Sequence, residues 1–164
     1  MKNVTRISVA LTLLLALLVA GQSSVASAQD VPDWQTNTTI QNIYENHIAW
    51  TEYTNELDDE FFETDDRELG ADLIGEALGV TIDYLNHLDG FFPETNCARE
   101  MWLATNNITK AGLAMYSAMY LMLTDDVGSA LTEDLLDWTF ENFDGTVEYS
   151  IEAIPDKCFN KLDV

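Results

Sequence analysis

The chain has 164 residues and a mass of 18.4 kDa, enough for one domain, and its 47% of apolar residues is ordinary for a globular protein rather than a disordered one. Its 29 Asp and Glu residues outnumber its 7 Lys and Arg residues, giving a formal net charge of -22. This charge argues against nucleic-acid binding and against attraction to anionic membranes, because both require a basic surface. The two cysteines are too few for a scaffold held together mainly by disulfides.

Residues 1–28 have the features of a secretory signal peptide. Lys2 and Arg6 give a positively charged start, residues 7–20 form an apolar stretch without charge, and a small-residue cleavage motif ends at Ala28. The apolar stretch is shorter than the ~20 residues that span a bilayer, so we expect cleavage and no transmembrane anchor. The predicted mature protein is one domain over residues 29–164, secreted or otherwise extracytoplasmic, with the periplasm and the cell surface both left open.

The acidic excess grows on cleavage. The signal peptide carries two basic residues and no acidic one, so the mature chain keeps five basic and 29 acidic residues, a net charge of -24. Such a surface repels itself at low salt, whereas at ~1 M salt the Debye length is only about 3 Å and the repulsion is screened. Because acidic residues recur through every later segment rather than in one loop, the sequence favours a halophilic or marine source.

Apolar residues recur at steps of three and four through most of the mature chain. These stripes cover residues 40–61, 73–91, 101–122 and 136–154. The spacing places each stripe on one face of a helix, and the last stripe continues through Gly145, so we expect one helix there rather than two segments. Four helices joined by short turns predict an all-α, four-helix up-down-up-down bundle.

Turn and capping residues separate the four stripes. Asp65 and Glu68 have the spacing of a capping box at the start of the second helix. Gly90 is typical of the end of that helix, and Pro93 suits the first turn of the next one. Thr124 is a predicted N-cap of the fourth helix.

The two cysteines agree with the predicted bundle. If the third and fourth helices fold back on each other near residue 125, Cys97 and Cys158 lie at the same end of the molecule. An extracytoplasmic location allows them to oxidise, so we predict a Cys97–Cys158 disulfide that joins the start of the third helix to the exit of the fourth.

The third helix has two further features that bear on function. A second apolar face, which predicts either a central position in the bundle or an interface for a partner or for self-association, consists of Trp102, Leu113, Tyr116, Tyr120 and Leu123. A methionine face, which predicts core packing with a cavity for an apolar ligand or Cu(I) binding as alternatives, consists of Met101, Met115, Met119 and Met122.

Metal-binding residue types are present but poorly placed. His47 and His87 lie in apolar stripes and would be about six residues out of register in a bundle, so we expect semi-buried core histidines. Asp83, one helical turn before His87, leaves those two residues as a weaker alternative for a metal site. The acidic run over residues 56–68 lacks the spacing of an EF-hand loop and predicts a solvated turn rather than a Ca²⁺ site.

No short catalytic motif is present in the sequence. It contains no G-x-S-x-G, H-E-x-x-H, P-loop or dinucleotide-binding pattern, and no C-x-x-C-H haem attachment site. We therefore expect no cofactor and favour a non-enzymatic role, with a hydrolase that uses Asp83 and His87 in an unrecognised site as a further alternative. The sequence favours a secreted, non-catalytic binding or protein-interaction module of unknown partner, with a carrier of a small apolar ligand or metal in the bundle core as the alternative.

Overall fold

The described part of the chain is helical. The structure is a computed structural model that describes residues 31–35, 39–90, 92–124 and 129–162, with the backbone alone for residues 129–133. The predicted signal peptide, residues 1–28, lies outside the described residues, as does Phe91 at the end of the second stripe. No strand occurs among the described residues, which confirms the all-α prediction.

Four long helices and one short helix follow one another in the chain. They are α1 (Ile40–Glu63), α2 (Arg67–Asp89), α3 (Asn96–Thr124), α4 (Ser129–Glu152) and α5 (Asp156–Phe159). Each long helix coincides with one of the four predicted stripes. The fourth stripe is one uninterrupted helix through Gly145, as predicted from its spacing.

The start of α2 was placed one residue too early by the sequence. Asp66, not Asp65, is the N-cap, and its side chain accepts hydrogen bonds from the backbone N–H groups of Glu68 and Leu69 at 2.9 and 3.3 Å. The acidic cap also suits the positive end of the helix dipole. Gly90 is the C-cap of α2, as expected.

The prediction that Thr124 caps the fourth helix was wrong. Thr124 is the last residue of α3, and its hydroxyl donates to the backbone oxygen of Tyr120 at 2.8 Å. Pro93 lies before α3 rather than in its first turn, since Thr95 accepts a hydrogen bond from the Ala98 N–H at 3.1 Å and acts as the cap. Both errors arise because a threonine or proline near a helix end does not reveal on which side of the boundary it lies.

Helix α3 is the centre of the packing. It contacts α1, α2 and α4, whereas α4 packs principally against α3. Gly112 marks the closest approach: a Cβ there would lie 3.2 Å from the Trp50 ring of α1 and 3.6 Å from the Phe143 ring of α4. A Cβ here would require the Trp50 ring to shift by a few tenths of an ångström, whereas the Phe143 ring would remain in ordinary contact.

Two apolar clusters form the interior. The larger one is built around Trp50, Leu57, Ile74 and Tyr84 from α1 and α2, together with residues of α3. The smaller cluster surrounds Cys97 and Cys158 at the other end of α3.

Arg67 fastens α2 to the end of α3. Its guanidinium donates to the backbone oxygens of Leu123 at 2.8 Å and Met122 at 3.3 Å, carbonyls of the last helical turn that have no partner within an ideal helix.

Candidate functional site

The disulfide is present where the sequence placed it. Cys97 and Cys158 are bonded, with their Cα atoms 5.2 Å apart, and both are buried. The bond connects the first turn of α3 to the short helix α5, which follows the exit of α4. It therefore holds the start of α3 next to the segment that follows α4, and it closes a loop between residues that are 61 positions apart in sequence.

Two residues of the second apolar face of α3, Tyr116 and Trp102, are wholly or partly buried. Tyr116 is buried, and its hydroxyl donates to Asp58 Oδ2 on α1 at 2.9 Å. Burial raises the pKa of the Asp58 carboxyl, although the hydrogen bond from Tyr116 opposes this shift. Trp102 is half-buried, and its indole N–H donates to the backbone oxygen of Leu88 on α2 at 2.9 Å. The Tyr116 hydroxyl and the Trp102 indole N–H therefore both form hydrogen bonds to neighbouring helices.

The remaining members of that face also contact the core. Leu113, Tyr120 and Leu123 are half-buried and pack against the larger cluster. The Tyr120 ring lies beside Gly75 of α2, 3.2 Å from where a Cβ would be. Of the two explanations that the sequence left open, these contacts favour the central position of α3 over an interface on this face.

Most of the methionine face is buried. Met115 and Met119 belong to the larger cluster and Met101 to the smaller one, while Met122 is half-buried. Two surface grooves are described below, and neither is lined by these methionines. The packing therefore favours their role as core residues, which flexible thioether side chains fill well.

His87 is engaged by a segment that precedes α1. The Asn46 side chain on α1 binds the Gln35 backbone through two hydrogen bonds of 2.9 Å: its Oδ1 accepts from the Gln35 N–H, and its Nδ2 donates to the Gln35 oxygen. His87 Nε2 lies 3.1 Å from the Gln35 oxygen and 3.3 Å from Asn46 Nδ2. Beside them the Trp34 ring packs on Tyr84 with 4.8 Å between centroids. Residues 34–35 thus form a strap across α1 and α2, and His87 takes part in it.

The fold brings no third metal-binding side chain to Asp83 and His87 among the described residues. Asp83 is exposed, and no group of three or more His, Cys, Asp or Glu residues within the described ranges is arranged to hold a metal ion. The arrangement around His87 is that of a structural hydrogen-bond network.

His47 is the more unusual of the two histidines. Its ring stacks on Trp50 with 5.5 Å between centroids, and its buried Nδ1 has no hydrogen-bond partner. Burial lowers the pKa of His47 to about 4, because the charged imidazolium cannot be solvated there. The side chain is neutral at physiological pH.

We expect His47 to make the fold sensitive to acid. The unfolded chain takes up a proton near the ordinary histidine pKa, whereas the folded chain does so only near pH 4, so stability falls as the pH is lowered between these values. Replacing His47 with Phe keeps a ring on Trp50 and removes the titration. The stability of His47→Phe relative to the wild type should increase from pH 7 to pH 4, measured by urea unfolding in high salt. A difference that does not change with pH would contradict the assignment.

Tyr84 carries another buried group without a partner. It is fully buried between the Trp34 and Trp50 rings, and its hydroxyl makes no hydrogen bond. Because an unpaired buried hydroxyl is unfavourable, Tyr84→Phe should stabilise the protein by about 1 kcal/mol in thermal or urea unfolding. Tyr116→Phe is the matched control and should destabilise it, since that hydroxyl binds Asp58. If both variants lost stability equally, the Tyr84 hydroxyl would have a partner, such as a buried water.

Helix α4 carries four exposed large apolar residues that its sequence pattern does not single out. Trp138 is 57% exposed and Tyr149 is 72% exposed, and Phe140 and Ile151 are exposed on the same helix. The sequence gives one indication of these residues: Trp138 and Tyr149 are apolar but lie outside the predicted buried stripe of the fourth helix. Trp138 and Tyr149 lie on one line along the helix and Phe140 and Ile151 on another, about 160° away around its axis. We refer to these four residues, which flank the exposed side of α4, as the α4 face.

Trp138 also lines a groove between α3 and α4. The groove has a volume of about 310 Å³ and includes Ala111 and Ala114 of α3 and Asn142 and Phe143 of α4. The alanines leave room beside the indole because their side chains are small. No acidic residue lines this groove, although the chain contains 29 acids.

A second groove lies at the turn between α1 and α2. It has a volume of about 500 Å³. Its lining includes Phe62, Asp65, Asp66, Arg67 and Leu123. Phe62 is 71% exposed. Asp65 and Asp66 are exposed in this turn, but the turn predicted over residues 56–68 is too long. Residues 56–63 belong to α1 and residues 67–68 to α2, so only residues 64–66 connect the two helices.

Comparison with known proteins does not assign this chain to a family. No family model, curated protein or solved structure matches it. Among the described residues, no helix combines the length and the apolar character that crossing a membrane requires.

Proposed function

We propose that this protein is a secreted, non-catalytic interaction module that contacts its partner through the α4 face. The observation that carries the proposal is the exposure of Trp138 and Tyr149 together with Phe140 and Ile151 on one helix. Trp138 and Tyr149 lie on one flank of the exposed side of α4 and Phe140 and Ile151 on the other, and contact surfaces are enriched in Trp and Tyr. Trp102, Tyr116 and Tyr120 of the predicted α3 face contact α1 or α2, whereas the α4 face is more exposed, so we propose α4 as the contact surface.

Secretion is supported by the sequence and by the disulfide. Residues 1–28 have the order of a signal peptide, and a Cys97–Cys158 disulfide persists in oxidising compartments. We therefore propose that the mature chain begins at Gln29 and acts outside the cytoplasm.

We infer that the four long helices alternate in direction. Asn46 contacts His87 and Tyr53 donates to Glu76, so residue numbers rise along α1 as they fall along α2. The disulfide relates α3 and α4 in the same way. These contacts support the up-down-up-down order, with α4 on the outer side of α3.

The burial of three of the four methionines favours an interaction module over a ligand carrier. Met101, Met115 and Met119 fill the two apolar clusters, as core residues do.

The proposal is tested by native mass spectrometry of the protein isolated from its own host without reductant. We expect the wild type to carry the mass of a second polypeptide, and the Trp138→Ser/Tyr149→Ser variant to lose it. Phe62→Ser removes an equally exposed aromatic ring elsewhere and should retain it. A monomer in every case, or a small ligand mass retained by all three proteins, would contradict the proposal.

A further inference from the structure

The exposed side of α4 combines apolar side chains with a line of carboxylates. Asp137, Glu141, Asp144 and Glu148 are all exposed, and they follow one another at intervals of four, three and four residues. This spacing aligns them along one side of the helix over about 16 Å. We refer to these four residues as the acidic ridge.

Apolar residues flank the acidic ridge on both sides. Trp138 and Tyr149 are eleven residues apart and share one line along the helix, and Phe140 and Ile151 share another. At about 100° per residue the ridge lies about 60° from the Phe140–Ile151 line and about 100° from the Trp138–Tyr149 line, so the three rows together span the whole exposed side of the helix. The α4 face is therefore two apolar rows with a row of negative charge between them.

No cation on α4 neutralises the ridge. The sequence of α4 contains neither Lys nor Arg. Lys110 of α3 lines the α3–α4 groove with Trp138 and Asn142, and the ridge begins on the opposite side of Trp138. A surface that covered the two apolar rows would bury the ridge beneath it, and buried carboxylates are unfavourable unless a positive partner reaches them.

We propose that the partner of this face is a cationic amphipathic polypeptide segment, with Lys or Arg opposite the acidic ridge and apolar side chains on the two flanking rows. This inference rests on the proposed function and specifies the chemistry of the partner. A second copy of the chain is the poorer occupant, because it would bring two identical acidic ridges together in a protein of net charge -22.

Negative charge alone does not define the site. On α1, Glu52, Glu56 and Glu60 form a similar exposed acidic row. The only large apolar residue of α1 that is strongly exposed is Phe62, near its end. Variants in the acidic row of α1 and in the acidic ridge of α4 change the net charge equally, but only the ridge is flanked by exposed apolar rows. Comparing them therefore distinguishes a local binding site from an effect of net charge.

The experiment uses two defined helical peptides of about 18 residues. One has a row of Lys flanked on both sides by rows of Leu, and the other has Gln in place of Lys. Binding is measured by fluorescence anisotropy at ~0.15 M and ~1 M salt. The ridge variant is Glu141→Gln/Asp144→Asn/Glu148→Gln, and the matched control is Glu52→Gln/Glu56→Gln/Glu60→Gln, which changes the net charge equally. We expect the ridge variant to bind the Lys peptide about tenfold more weakly than wild type and the control to change by less than about twofold.

Three results would overturn the inference. Equal weakening in both triple variants would mean that the peptide responds to net charge alone. Equal binding of the Lys and Gln peptides, lost in Trp138→Ser, would remove the requirement for a cationic partner and leave the proposed contact surface in place. Binding of neither peptide would also reject the cationic segment, while the native mass measurement on the Trp138→Ser/Tyr149→Ser variant decides the proposed function separately.

Discussion

Loss of the Cys97–Cys158 disulfide should lower the free energy of unfolding by about 4 kcal/mol. The two cysteines are 61 residues apart in sequence, and the bond restricts the unfolded chain far more than it restricts the folded one. It also joins the start of α3 to the segment that follows α4, within the smaller apolar cluster. For a single domain this is a large fraction of the total stability.

The measurement is urea unfolding of three samples: oxidised wild type, wild type under reductant, and Cys97→Ala/Cys158→Ala. The reduced wild type and the double variant should unfold at similar, much lower urea concentrations than the oxidised protein. Equal midpoints with and without reductant would show that the bond does not constrain the unfolded chain as the long loop predicts.

The replacement Trp50→Ala should cost about 3–5 kcal/mol of unfolding free energy. Trp50 is only 3% exposed, and its ring stacks on His47 and Tyr84 and closes on Gly112. Its indole N–H donates to the Thr81 hydroxyl at 3.1 Å, so truncation leaves a cavity and a buried hydroxyl with one partner fewer.

Trp138→Ala is the matched control for this prediction, because it removes the same side chain from an exposed position. We expect its stability to differ from that of the wild type by no more than about 0.5 kcal/mol. Thermal or urea unfolding of both variants makes the comparison. Similar losses in the two would contradict the assignment of Trp50 to the core and of Trp138 to the surface.

The helices could be predicted from the sequence because each buries one continuous stripe. A period of three to four residues is a property of the segment itself, and it persisted through Gly145 because tertiary packing offsets the intrinsic cost of one glycine. The disulfide followed from the same register, since helices of known length place Cys97 and Cys158 at one end. Helix boundaries were less secure, as the adjacent acids Asp65 and Asp66 show.

The candidate site could not be predicted, because exposure depends on which helices become neighbours. Helix α3 has apolar residues on two sides and contacts three other helices, so one side is buried and most of the other is half-buried. Helix α4 packs principally against α3, and the apolar residues off its buried stripe, including Trp138 and Tyr149, remain exposed. The periodicity of α3 and α4 alone does not distinguish these two outcomes.

The strap formed by Trp34 and Gln35 was also beyond sequence reasoning. It has no helical period, and its attachment depends on Asn46 and His87, which are far from each other in sequence. Those contacts explain why His87 lies in an apolar stripe without serving as a metal ligand.

Site-specific photo-crosslinking in the source organism tests the proposed function most directly. Benzoylphenylalanine replaces Tyr149 on the α4 face in one strain and Phe62 in another, two positions of nearly equal exposure at 72% and 71%. We predict that irradiation links the chain to a second polypeptide from position 149 and not from position 62. Adducts formed equally from both positions, or from position 62 alone, would contradict the assignment of the α4 face as the contact surface.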